Sequence, residues 1–138
     1  MTDYVRKTDI TNSEIQVPVD IQGQYVDLII VPKYSENTTS KTGIDSETLV
    51  LDLNVRLYRN LGLALKNTGS NDLVYRITAL VKYDGSIEVE IVSSTTLAAG
   101  ASAIETIDVS KYARIKLYVA AATSGSPSDI SVEYILKV

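Results

Sequence analysis

The chain contains no cysteine and no histidine, and its only methionine is Met1. Without Cys there are no disulfides, no thiolate nucleophile and no sulfur ligands for zinc. Without His there is no imidazole for acid-base chemistry near neutral pH and no nitrogen ligand for zinc, copper or haem. Most hydrolase and metalloenzyme templates are excluded on that ground, and a Cys-free, Met-poor chain resists oxidation. Phe and Trp are missing too, so the nine Tyr between Tyr4 and Tyr134 make up the whole aromatic content. A Tyr ring packs while its hydroxyl seeks a partner or water, which suits half-buried sheet faces and interfaces; the core falls to Leu, Ile and Val. Excess positive charge is lacking as well: 13 Lys and Arg stand against 17 Asp and Glu, a formal charge of -4. That balance offers no general footprint for nucleic acid or an anionic membrane. No segment approaches the roughly eighteen consecutive apolar residues of a membrane span, and the N-terminal MTDYVRKTDITNSEIQ has no secretory apolar run. The expectation is a protein folded in a cytoplasm, with no nucleic-acid and no membrane partner.

What is present is alternation. At 138 residues, 45% of them hydrophobic and 22% charged, the chain has room for one domain of ordinary size. Residues 1–23 are polar and read as an N-terminal arm or an edge strand, with Ile15, Val17, Val19 and Ile21 alternating around Pro18. Residues 24–138 read as a β-sandwich domain. Residues 24–31 form a strand stopped by Pro32, and the Ser-, Thr- and Asn-rich stretch from Lys33 to Asp45 reads as a long loop. Leu49, Leu51, Leu53, Val55 and Leu57 share one parity, a strand pattern that would be scattered around a helix. Leu61, Leu63 and Leu65 continue it, and Asn67 to Asp72 form a turn in which Gly and Asn supply positive φ. Leu73, Tyr75, Ile77, Ala79, Val81 and Tyr83 run into an Asp84-Gly85 hairpin turn followed by Ile87, Val89 and Ile91, with Arg76 and Lys82 placed to pair with Glu88 and Glu90. Small residues from Leu97 to Ala103 read as a loop or strand crossing. Strands follow at Ile104, at Ile115 to Val119 and at Ile130 to Val138. About eight strands at this spacing predict an all-β, two-sheet antiparallel sandwich with jelly-roll or immunoglobulin-like wiring.

Chemistry-bearing residues are sparse. Glu88 and Glu90 share a strand face about 7 Å apart, a separation compatible with carboxylate-pair glycoside hydrolysis, but acidic residues on a solvated strand face are ordinary. Asp108, Ser110 and Lys111 match no catalytic spacing, and no serine has an evident activating base. Oxygen ligands between Asn67 and Asp72 and around Asp84 raise calcium as a thought, yet neither loop has the Asp-rich calcium pattern and turn chemistry explains them. No glycine-rich phosphate motif occurs. The expectation is no enzyme, with no catalytic residue, no cofactor and no metal. The stripe Arg114, Lys116 and Tyr118 is a candidate partner surface or sugar platform, weighed against a plain solvated strand face; Tyr4, Arg6 and Lys7 are the corresponding candidates in the arm.

The second half reads LALKNTGSNDLVYRITALVKYDG, then TLAAGASAIETIDVSKYARIKLYVAA, then SGSPSDISVEYILKV. This succession of an Asn-Thr-Gly turn, a Tyr-bearing strand, an Ala-Gly-Ala loop, a Tyr-Ala-Arg strand entry and a Ser-Gly loop resembles small β-sandwich virion proteins of tailed phages and related viruses. The resemblance covers roughly residues 61–138. It implies a non-enzymatic capsid decoration or cement protein that binds and stabilises the major capsid protein lattice, or another virion protein, with the polar arm laid across neighbouring subunits. It also implies a homo-oligomer, a trimer in the decoration class, located in the virion and assembled in the host cytoplasm. A tail or fibre component, and a carbohydrate-binding or adhesion-type sandwich, remain the alternatives.

Overall fold

The structure, a computed structural model, describes the backbone of residues 3–7, 13–19 and 29–32, and residues 33–138 in full. Strands β1 (Asp3–Lys7), β2 (Ser13–Val19) and β3 (Ile29–Pro32) form a three-stranded antiparallel sheet in that order. The strand expected around Pro18 therefore has neighbours on both sides, with Pro18 opposite Tyr4 and beyond the stretch that pairs with β3. Of the strand expected over residues 24–31, residues 24–28 lie outside the described residues.

From Tyr34 onward eight strands follow: β4 (Tyr34–Ile44), β5 (Thr48–Asn54), β6 (Asn60–Asn67), β7 (Leu73–Leu80), β8 (Val89–Leu97), β9 (Ser102–Asp108), β10 (Arg114–Ala121) and β11 (Ser128–Lys137). They form two antiparallel sheets of four, ordered β5-β10-β7-β8 and β4-β11-β6-β9. The described residues contain no helix. This is the all-β sandwich that the alternation predicts. Each sheet turns one aliphatic parity inward, and Leu61, Leu63, Leu65, Ile77, Ile115, Leu117, Val119, Ile130 and Val132 meet there with almost no exposure. Burying such side chains contributes roughly 1.5–3 kcal/mol each before entropy is counted.

Several sequence expectations need correction. The stretch read as a loop from Lys33 to Asp45 is mostly strand β4, hydrogen-bonded along its length to β11. As an edge strand with only Ile44 fully buried it needs no apolar parity, so its Ser and Thr disguise it. Leu49 faces outward beside Tyr118, because the register of β5 against β10 skips Val50; this bulge turns Val50 into the core in its place. Val81, Tyr83 and Ile87 are not in paired strands: β7 ends at Leu80 and β8 begins at Val89, so the hairpin tip projects past the sandwich, and its turn closes with Gly85 N–H on the Lys82 carbonyl. In the Asn67–Asp72 turn, Gly69 is not needed for positive φ. A Cβ there would lie 2.0 Å from Ser128 Oγ and 2.7 Å from Asp129 N, so glycine permits close approach, while Gly43, Gly100 and Gly125 take the positive φ.

The Leu97 to Ala103 stretch is a crossing. Residues 98–101 carry the chain from β8 in one sheet to β9 in the other.

Candidate interaction surface

The outer face of the β5-β10-β7-β8 sheet is organised by β10. With Ile115, Leu117 and Val119 buried, the period of two turns Arg114, Lys116 and Tyr118 outward, as the sequence predicts. The register then sets Lys116 opposite Asp52 and Thr78, and Tyr118 opposite Leu49 and Arg76. Arg114 grips Asp52 with both ends of its guanidinium, Nε to Oδ1 at 2.6 Å and Nη2 to Oδ2. Lys116 Nζ lies 3.1 Å from Glu88 Oε1, and the Tyr118 hydroxyl donates to Glu88 Oε2 at 2.9 Å. Arg76 lies over the Tyr118 ring at 4.4 Å, pairs with Glu47 and stands 3.8 Å from Glu90. Arg56 covers the Tyr83 ring at 4.3 Å.

The result is a closed network of charges. The Arg114 guanidinium holds the Asp52 carboxyl below the usual aspartate range, and Arg76 does the same for Glu47. Burial pushes Glu88 up, but Lys116, Tyr118 and Thr78 outweigh it and leave it below the usual glutamate range. Glu88 holds the Lys116 ammonium above its ordinary value. Burial, aided by Glu88, raises the Tyr118 phenol. Glu88 is thus held ionised, the opposite of the raised carboxyl that a general acid of a glycosidase pair requires. The predicted cross-strand pairing survives in Arg76 with Glu90, but Lys82 pairs instead with Asp84 at 3.6 Å inside the hairpin tip.

Oxygen atoms in the Asn67–Asp72 turn are engaged with the protein itself. Asn67, fully buried, donates to the Asn71 and Leu97 carbonyls and accepts from Gly69 N–H and Ser128 Oγ. Asp72 Oδ1 accepts from Ala99 N–H at 3.0 Å. Among the described residues no three acidic side chains converge in a way that could hold a metal ion.

Two features escape the sequence reading. The hairpin tip and the end of the sheet beneath it form a cleft of about 650 Å³ floored by Ala79, Val89, Ile91 and Tyr112 and flanked by Val81 and Ile87, both more than three-quarters exposed. The polar run Lys82 to Ser86 was the available signal that the turn is longer than two residues. On the opposite sheet, Gly62 and Ala64 leave a trough of about 450 Å³ between Ile104, Glu133 and Ile135. The side chains of Tyr4, Arg6 and Lys7 lie outside the described residues; their backbone forms β1.

No protein-family model matches the chain, and no curated protein matches it. Among solved structures it is similar to the PBSX exported protein XepA, with a TM-score of 0.57 and 10% identity over 96% of this chain and 50% of that one. It is also similar to PirA, with a TM-score of 0.52 and 12% identity over 74% of this chain and 93% of that one. The SPBc2 prophage-derived protein YomS follows at 0.49 and 13% identity, over 75% of this chain and 96% of that one. The chain spans half the length of XepA, and the likeness to XepA and PirA is one of fold.

Proposed function

We propose that the chain is a non-enzymatic structural protein of a virion, and that it acts by binding the major capsid protein lattice as a decoration or cement protein. The observation that carries this reading is the strand order. Apart from the β7–β8 hairpin, successive strands pass from one sheet to the other, so that the first pairs with the last, β4 with β11, and the second with the seventh, β5 with β10. That order supports jelly-roll wiring, an arrangement recurrent in viral capsid and lectin domains. The residues that carry the virion resemblance hold frame positions in it. Asn67 knots three segments, Gly100 and Gly125 take positive φ at turns, and Arg114 opens β10 directly after Ala113. In this reading residues 1–23, with Tyr4, Arg6 and Lys7, are the arm that reaches neighbouring subunits, the two four-stranded sheets from Tyr34 onward are the sandwich, and Arg114, Lys116 and Tyr118 face the lattice.

The lectin-type alternative needs flat, open aromatic rings. On the outer face those of Tyr118 and Tyr83 are covered by Arg76 and Arg56, which weighs against a sugar platform there.

The test is co-sedimentation with particles from the protein's own source, read by quantitative mass spectrometry. Stoichiometric recovery on mature heads is expected, and deletion of residues 2–20 should lower it without unfolding the sandwich. Recovery on tails alone would reassign the protein to the tail or fibre class, and absence from particles would overturn the virion reading.

A further inference from the structure

The two ends of the sandwich are chemically opposite. At one end lie the β5–β6, β7–β8 and β9–β10 connections, residues 55–59, 81–88 and 109–113. They carry Arg56, Arg59, Lys82 and Lys111 against Asp84 and Glu88; Glu88 is committed to Lys116 on the sheet, and Asp84 lies 3.6 Å from Lys82 within the tip. This end also holds the cleft flanked by Val81 and Ile87. At the other end lie residues 45–47, 68–72, 98–101 and 122–127. They carry Asp45, Glu47 and Asp72 and neither Lys nor Arg, and Glu47 is committed to Arg76 on the sheet, which leaves Asp45 and Asp72. Hydrogen bonds brace this end: Gly125 N–H donates to Asp45 Oδ1, Ala99 N–H to Asp72 Oδ1, and Ala122 N–H to the Asp72 carbonyl. The exposed tip held there is Ala98-Ala99-Gly100, whose side chains are no larger than a methyl group.

We infer that the partner of the basic, aliphatic end is the acidic end of a second copy of this chain. The Ala98-Ala99-Gly100 tip enters the cleft between Val81 and Ile87, and Asp72 and Asp45 come to face Lys111 and Lys82. Charge and relief match between the ends and not within either: basic end on basic end, or acidic on acidic, sets like charges together. The contact is therefore heterologous, head to tail, and closes into a ring or runs on as a filament according to the rotation between copies. It concerns the chain's contact with itself and stands or falls apart from the capsid-lattice reading.

The experiment is sedimentation velocity of the purified full-length protein over a concentration series up to about 1 mM. It would be run at ionic strengths from about 0.01 M, where charges reach about 30 Å, to about 1 M, where they reach about 3 Å. Self-association that weakens with salt is expected. Ile87→Asp blocks the basic end and Ala99→Lys blocks the acidic end, both at exposed positions. Each alone should weaken association at least about tenfold in Kd while keeping the wild-type melt. Mixed, they should form a 1:1 pair, because each retains the end that the other lacks. A wild-type chain that stays monomeric throughout overturns the inference. So does either single variant that still self-associates at wild-type strength, or a mixture that forms no pair.

Discussion

The Tyr75 hydroxyl, on β7 of one sheet, donates across the core to the Glu105 carboxylate on β9 of the other, 2.8 Å away. Glu105 stands opposite Leu63, so it points inward, on a strand that forms the free edge of its sheet. An inward charge on an edge strand discourages pairing with a foreign strand, because any apolar cover would strand the carboxylate. Tyr75, otherwise buried among aliphatics, supplies the partner that makes the charge tolerable.

Removing that partner should be costly. Tyr75→Phe keeps the ring and deletes the only part that crosses the sheets, and hydrogen bonds to charged groups contribute about 1.5–3 kcal/mol. A loss of that order in urea unfolding is expected. A loss under about 0.5 kcal/mol would mean that water serves Glu105 equally well.

The same pair sets an alkaline limit. Burial, with Glu105 adding to it, pushes the Tyr75 phenol from its ordinary 10.0 to about 12. A raised value favours the protonated form in the folded state, so the associated stability is complete below pH 10 and is lost as pH rises through 12. The stability of the wild type should fall over that window by about 1–3 kcal/mol more than that of Tyr75→Phe, measured by denaturant melts at stepped pH.

On the outer face the shifts run the other way. Asp52 and Glu47 are lowered by Arg114 and Arg76, and Glu88 is lowered by Lys116, Tyr118 and Thr78 against its burial. Lowered carboxyls stabilise above their ordinary values of 3.8 and 4.5, and that contribution disappears as pH falls through the folded values beneath them. These groups meet solvent, so each pair contributes about 0–1 kcal/mol. Glu88→Gln, which loosens both Lys116 and Tyr118, should cost more than Glu90→Gln, whose contact with Arg76 is long. Thermal melts at pH 7 in low and high salt would rank them, and equal costs would show that the network does not act through Glu88.

How much of this was legible follows from what each strand touches. Strands buried on one face announce themselves: Ile115, Leu117 and Val119 alternate with Arg114, Lys116 and Tyr118, and both parities fall where alternation puts them. β4 has almost no buried face and so left only its turn-like Ser, Thr and Asn to read. Parity also fails where the register slips, since a bulge is invisible in composition: Leu49 follows the pattern of Leu51 and Leu53 yet lies outside. The stripe on β10 was readable, but not its engagement by Asp52, Glu88 and Arg76, which arrive from other strands. The opposed ends were hidden for the same reason, because loops distant in sequence gather there only once the strands alternate in direction.

Asn67 looked like a turn former and is instead a buried crosslink. Its amide makes four hydrogen bonds, to Asn71, Leu97, Gly69 and Ser128. Asn67→Ala strands several of these buried groups at about 1–3 kcal/mol each, so a total loss near 2–4 kcal/mol is expected after relaxation. Asn67→Asp keeps the acceptor and loses both donors, and it should also destabilise. Chemical denaturation of both variants decides it, and a wild-type midpoint in either would remove the crosslink role.

The sandwich itself makes the sharpest contrast between neighbouring aliphatics. Ile77 and Leu117 have no exposure, whereas Ile87 and Ile104 are 78% and 77% exposed. A carboxylate at either buried site has no cation or donor to meet it, and burying it unpaired costs several kcal/mol out of a total stability of about 5–15 kcal/mol. Ile77→Asp and Leu117→Asp should therefore abolish a cooperative melt, while Ile87→Asp and Ile104→Asp change the midpoint little, within about 0.5 kcal/mol of wild type. Calorimetry on the four variants separates the outcomes. A cooperative melt in either buried-site variant would mean that its side chain escapes to solvent, and the inward parity assigned to that strand would then be wrong.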